Sequence, residues 1–241
     1  MMKKYTDLFI DFDDTLYDTY GNAVIALQEL FGHFRLDRYF DDPQVFYDDY
    51  WRTNIDLWSR YAKGQISRDY LIVERFRHPL AAGQGLEPTV DFCKEVGDCF
   101  LDYCSSKPGV VDGAHQLMEH LHGKGYRMHL CSNGFHEVQY RKLDACGLRH
   151  YFQTVILSED AGVNKPAPAY FDYALKVAGA SRETTLMIGD NYSTDIEGAR
   201  NAGLDTIFFN RWNLELSPQQ IAECRNRTIE VKSLRAIIDL L

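Results

Sequence analysis

The chain has no run approaching the roughly 18 consecutive apolar residues that a membrane-spanning helix needs. Its start, Met1-Met2-Lys3-Lys4-Tyr5-Thr6-Asp7, passes at once into a strand-like segment and has no apolar region of the signal-peptide kind. Positive charge is scarce: 26 Lys and Arg stand against 35 Asp and Glu, a formal charge of -9. With no basic stripe to displace counterions, a nucleic acid polymer is excluded as the main partner, whereas a small anionic ligand is not. The six cysteines (Cys93, Cys99, Cys104, Cys131, Cys146, Cys224) include no C-x-x-C pair, which argues against zinc. In a reducing compartment they are simply small buried apolar residues. Internal repeats and low-complexity tracts are also missing. These absences point to a cytoplasmic protein with no membrane role.

What remains is ordinary globular composition, 45% apolar and 25% charged over 241 residues. That length holds one large domain, or a core with a smaller insertion. Apolar strand-like runs occur at 5–10, 126–131, 154–157, 185–188 and 206–209, with a weaker one at 228–230. Helical periodicity fills the gaps between them. Asp112 is placed to cap a helix through Leu117 and Leu121, another helix covers about 135–146, Pro168 opens a third, and a fourth runs from Asp195 to Ala202. Strands separated by single helices must cross over, which predicts an α/β fold: a Rossmann-like parallel sheet with helices on both faces. Between Leu16 and Ser105 nothing alternates like a strand. Val24, Leu27 and Leu30 recur at helical spacing up to Gly32. A long helix covers 41–61 with Trp51, Ile55 and Trp58 on one face, and Ser67 and Thr89 are good caps for two more. The expected organisation is a core of residues 1–16 and 106–241 interrupted by an all-helical insertion, 17–105.

Parallel strands end at one edge, and the residues just past each end are informative. The first strand breaks into Asp11-Phe12-Asp13-Asp14. On an extended strand Asp11 and Asp13 share a face, where like charges repel unless a shared proton or a cation relieves them, a hard ion such as Mg²⁺ being the natural one; the alternative is an acidic, solvated turn. Ser132-Asn133-Gly134 follows the second strand, Lys165-Pro166 lies beyond the third, and Gly189-Asp190-Asn191 follows the fourth, with Asp195 five residues after Asp190. Pro166 disfavours a helical conformation at Lys165. One rim thus gathers carboxylates, a hydroxyl, an amide and a cation.

That set suits phosphoryl transfer through a covalent intermediate. Asp11 is the candidate nucleophile, and Asp13 the acid that protonates the leaving alcohol and then the base that activates water. Mg²⁺ held by Asp11 and Asp190 would neutralise charge. Ser132 and the Asn133 backbone N–H, read as opening a helix, would donate to phosphoryl oxygens, and Lys165 is the fixed cation. Asp195 is either a further metal ligand or a helix N-cap that also fixes Lys165. Asp14 and Thr15 read as turn-shaping residues.

DFDDTL at 11–16, SNG at 132–134, Lys165 in NKPAP and GDNYSTD at 189–195 together resemble the four motifs of the haloacid dehalogenase-like hydrolases. The resemblance covers the core and implies Asp11 as nucleophile and Asp13 as acid/base. It also implies Mg²⁺ held by the Asp11 carboxylate, the Asp13 backbone carbonyl and Asp190, with Asp195 close by. The helical insertion resembles the cap of one branch of that family. Dehalogenases lack the second motif-one aspartate, so Asp13 implies phosphate-ester chemistry. Asn54, Leu57-Trp58, Gly64, Ile66-Ser67 and Arg75-Phe76 resemble the cap of bacterial pyrimidine 5′-nucleotidases, implying a nucleoside 5′-monophosphate as the small phosphorylated substrate. On the residues alone, Trp51 and Trp58 at helical spacing read as packing residues inside a cap bundle, ahead of a face that stacks on a base. A sugar phosphomutase, a phosphoglycolate or sugar phosphatase, and a non-catalytic phosphate sensor are the rival readings.

Overall fold

The computed structural model describes residues 5–224 and 227–241, so Met1–Lys4 lie outside the described residues. Among the described residues six strands form one sheet: β1 (Asp7–Ile10), β2 (Arg127–Ser132), β3 (Thr154–Leu157), β4 (Thr185–Gly189), β5 (Asp205–Phe209) and β6 (Thr228–Val231). Every pairing is parallel and the order is β3-β2-β1-β4-β5-β6. This is the α/β class that the alternation of strands and helices predicts.

The strands read as near-continuous apolar runs because both faces are covered. Period-two alternation sorts them: Leu8, Ile10, Leu130 and Ile188 enter one cluster with Leu117, Leu121 and Ile237, while Phe9, Cys131 and Met187 enter another with Phe171 and Ala174. The chain folds into two compact units, Met1–Thr19 with Pro108–Leu241, and Tyr20–Lys107.

The second unit is helical: α1 (Thr19–His33, beginning one residue earlier), α2 (Pro43–Ala62), α3 (Arg68–Ala81) and α4 (Val90–Ser105). Its core is aromatic, with the Tyr50, Phe76 and Phe100 rings 5.3–5.4 Å apart. Ser67 and Thr89 cap α3 and α4 by accepting from Tyr70 N and Phe92 N. One sequence expectation fails here. Gly32 does not end α1; the helix continues to His33, and the left-handed residue that turns the chain is Arg35, at φ 51°. Ile55, on the face of Trp51 and Trp58 by spacing, is 68% exposed, and Phe46, Tyr50 and Leu57 line the interior of α2. Trp51 packs against Tyr20 and Tyr50.

In the first unit the helices are α5 (Ala114–Gly123), α6 (His136–Ala145), α7 (Ser158–Ala161), α8 (Pro168–Ala178), α9 (Gly198–Asn201), α10 (Pro218–Cys224) and α11 (Leu234–Leu240). Asp112 does not cap α5. Gly113 holds that position at φ 84°, a left-handed conformation that glycine adopts without steric cost. Before α9, residues Tyr192–Glu197 form a π-helix, a widened turn often found at functional sites. No helix among the described residues is long and apolar enough to cross a membrane.

Candidate active site

The strand order runs outward in both directions from the β1–β4 pair, which makes the crevice beyond their carboxyl ends the topological switch point. Ile10 is in register with Ile188, and Asp11 N donates to Ile188 O at 2.9 Å, so Asp11 and Asp190 emerge side by side. Asp11, Asp190 and Asp195 each offer a carboxylate oxygen within 4.8 Å of the others.

Lys165, 1% exposed, ties this group together. Its Nζ donates to Asp11 Oδ1 at 2.7 Å, Asp195 Oδ1 at 2.6 Å and Cys131 O at 2.8 Å, engaging all of its protons. Burial works against its charge, but the two carboxylates outweigh burial and raise its pKa. Asn133 holds the lysine in place from the backbone side, donating from Nδ2 to Lys165 O and accepting Lys165 N on Oδ1. Thr15, fully buried, donates toward Asp11 Oδ2 and Asp190 Oδ1 and accepts from Asp190 N. It therefore links two carboxylates, more than the turn-shaping role its position suggests.

Asp13 stands apart from this trio. Its Oδ1 accepts from Lys142 Nζ at 2.5 Å and Thr19 Oγ1 at 2.6 Å, and its Oδ2 from Gln139 Nε2 at 2.5 Å and Ser132 Oγ at 3.5 Å. Burial raises its pKa, but Lys142, Thr19 and Gln139 more than offset that and hold the carboxyl below its ordinary range. The sequence-level pairing of Asp11 and Asp13 about one cation is thus redrawn: the carboxylates grouped with Asp11 are Asp190 and Asp195, and Asp13 has a lysine of its own.

Two further expectations are corrected. Ser132 and Asn133 do not open a helix, since Ser132 ends β2 and α6 starts at His136. Ser132 Oγ instead accepts from Gly134 N and Gln139 Nε2. Asp195 is not a helix N-cap. Asn191 takes that role, accepting from Ser193 N and Thr194 N, while Asp195 binds Lys165 and accepts Asn191 N. Gly189 makes room for it: a Cβ there would lie 2.4 Å from Asp195 Oδ2.

Sequence reasoning missed Gln139, Lys142, Thr15 and Thr19. The signal lay in spacing: Gln139 and Lys142 are three apart on a helix that starts at the rim, so they share a face. Among the described residues the acidic trio is the one cluster suited to a metal, and no histidine joins it. Three carboxylates against one ammonium leave excess negative charge among hard oxygen donors, which fits a Mg²⁺-like cation.

That excess is visible in proton affinity. Burial first, then Asp195, pushes Asp11 up to about 7 despite Lys165, and burial with Asp11 and Asp195 raises Asp190 well above its ordinary value. Without a cation the folded chain therefore keeps a proton that the unfolded chain releases near 3.8. A raised acid of this kind contributes stability in full below its unfolded pKa, and the contribution is lost as pH climbs through the folded value. At 1.36 kcal/mol per unit, the loss is on the order of 4 kcal/mol. His129 contributes in the opposite sense: burial, against the pull of Asp7, lowers its pKa, so its term is lost as pH falls. Comparison with Asp11→Asn cancels that term. The stability of wild type in chelator should fall more steeply than that of the variant between about pH 4 and pH 7 in thermal melts. Parallel curves would contradict the charge excess.

The profile of the haloacid dehalogenase-like hydrolases matches residues 8–203. The chain belongs to that family. It is an enzyme, a phosphoric monoester hydrolase. A pyrimidine 5′-nucleotidase of Streptococcus pneumoniae, PynA, is 32% identical over 238 residues, covering 98% of this chain and 95% of its own. The pyrimidine 5′-nucleotidase YjjG of Escherichia coli is 32% identical over 239 residues, 99% of this chain and 98% of its own. The magnesium-bound crystal structure of the Bacillus subtilis HAD-hydrolase YfnB superposes with a TM-score of 0.85 at 28% identity, covering 99% of both chains.

Proposed function

We propose that this family member is a Mg²⁺-dependent phosphatase that hydrolyses a pyrimidine nucleoside 5′-monophosphate through a phosphoryl group carried on Asp11. The observation that carries the reading is the buried Lys165 bridging Asp11 and Asp195, with Asp190 alongside, at the switch point of the sheet. The substrate class rests on the two nucleotidase relatives, which match nearly the whole chain.

Asp11 attacks phosphorus, the bond to the ester oxygen breaks, and Asp13 delivers a proton to that oxygen. A phosphate dianion beside Asp13 raises its proton affinity against the pull of Lys142, which makes it a competent donor. In the second half Asp13 takes a proton from water, the water oxygen bonds to phosphorus, and the phosphorus–Asp11 bond breaks to release inorganic phosphate. Lys165 keeps Asp11 oriented and offsets charge throughout. Mg²⁺, held by Asp11 and Asp190 with Asp195 adjacent and the Asp13 carbonyl as the family resemblance implies, would supply the charge neutralisation that lets an anion approach an anion. The partner is a small phosphorylated metabolite, and a reducing cytoplasmic setting agrees with six free cysteines.

The test is phosphate release from pyrimidine and purine nucleoside monophosphates, sugar phosphates and phosphoglycolate, with Mg²⁺ and with chelator. Pyrimidine 5′-monophosphates should be turned over fastest, and chelator should stop the reaction. A sugar phosphate preferred over every nucleotide would overturn the substrate class. Isomerisation that requires a bisphosphorylated sugar would identify a mutase.

A further inference from the structure

Both oxygens of Asp13 are fixed by side chains of α6. Lys142, 6% exposed, reaches Oδ1 with its Nζ lying 5.1 Å from the centroid of the Tyr17 ring. Gln139, 0% exposed, reaches Oδ2 and is itself held by Ser132 Oγ at 2.9 Å. The chain before α6 is shaped to admit this amide, since a Cβ on Gly134 would lie 1.7 Å from Gln139 Nε2. Stability is a poor account of the arrangement. A largely buried ion pair often does no better than apolar residues of similar volume, because desolvation offsets the attraction. What it does provide is geometry: a carboxylate gripped at each oxygen from a rigid helix has little freedom to turn.

We propose that Lys142 and Gln139 are positioning residues that aim the Asp13 carboxylate for proton transfer to the leaving oxygen. This rests on the proposed role of Asp13 as proton carrier. Neither residue needs to touch the substrate; each acts through Asp13. A misplacement of about 1 Å at a reacting group can lower a rate 100-fold, so loosening either anchor should show in turnover. The effect should also depend on the leaving group. An acidic phenol departs without help, whereas an alkyl alcohol needs the proton.

The experiment measures kcat/KM for alkyl and aryl phosphates of graded leaving-group acidity on the full chain with Mg²⁺. Wild type, Lys142→Met, Gln139→Leu, Lys142→Arg and Asp13→Asn are compared. Lys142→Met and Gln139→Leu should lose about 100-fold on the alkyl esters and far less on the most acidic phenol, steepening the dependence on leaving group. Lys142→Arg, which keeps a donor at Oδ1, should stay near wild type. Because all esters are read on one sample, a loss of folded protein lowers every rate equally and leaves the slope unchanged. A wild-type slope in Lys142→Met and Gln139→Leu, alongside a steepened one in Asp13→Asn, would overturn the positioning role. An unchanged slope in Asp13→Asn would instead remove the proton-carrier assignment on which it rests.

Discussion

Asp11→Asn is expected to lower phosphate release by roughly 10⁴-fold or more, the scale seen when an enzyme loses its covalent nucleophile. The amide matches the carboxylate in shape, so Lys165 and Thr15 keep a side chain of the same outline to pack against. What disappears is the anionic oxygen that the proposed mechanism joins to phosphorus. The same substitution should raise the melting temperature in chelator. Asp11 is held at about 7 because its ionised form is disfavoured by burial and by Asp195, so above that pH the wild-type fold carries a charge it would be more stable without. Lost turnover with gained stability is the signature of a residue kept for chemistry. Full turnover in the variant would remove Asp11 as nucleophile, and a lower melting temperature would mean that its charge holds the site together.

Lys165→Met should damage both properties at once. Methionine fills much of the volume but leaves Asp11 and Asp195 facing each other with no cation between them. Breaking a buried pair by removing one partner costs about 3–5 kcal/mol, and here two anions lose the same partner. Loss of an oriented donor beside developing charge lowers kcat by about 100- to 1000-fold. Urea denaturation and phosphate release measure the two effects separately. A variant that stays as stable as wild type would mean that the ammonium does not hold the Asp11 and Asp195 carboxylates together.

Much of this was legible from residues alone, for physical reasons that differ by feature. The strands read clearly because a parallel sheet covered on both faces selects unbroken apolar runs such as Leu186-Met187-Ile188. The rim residues read clearly because parallel strands share an edge, so Asp11, Lys165 and Asp190 could be collected without knowing the strand order. The partners of Asp13 on α6 were only half legible: spacing puts Gln139 and Lys142 on one helix face, but nothing in the sequence aims that face at Asp13. Gln139 and Lys142 are polar residues on a helix, where solvent is the usual neighbour, and only packing reveals that they are buried. Asp195 was ambiguous because an aspartate near a helix start reads as a cap. The cap is Asn191, four residues earlier, and Asp195, inside the π-helix that Asn191 opens, is buried against Lys165. In the helical unit, Gly32 resembled a stop signal although its neighbourhood tolerates a side chain and the chain turns at Arg35.

The widened turn at Tyr192–Glu197 has a consequence for how this segment can vary in length. A π-helix is an α-helix carrying a surplus residue, and each α-helical residue advances the chain by about 100° around the axis. Deleting one position between Asn191 and Asp195 would regularise the spiral and swing the carboxylate out of reach of the ammonium it now meets. Length there is consequently a constraint as firm as residue identity, and a relative one residue shorter in this segment would need its acid from another position.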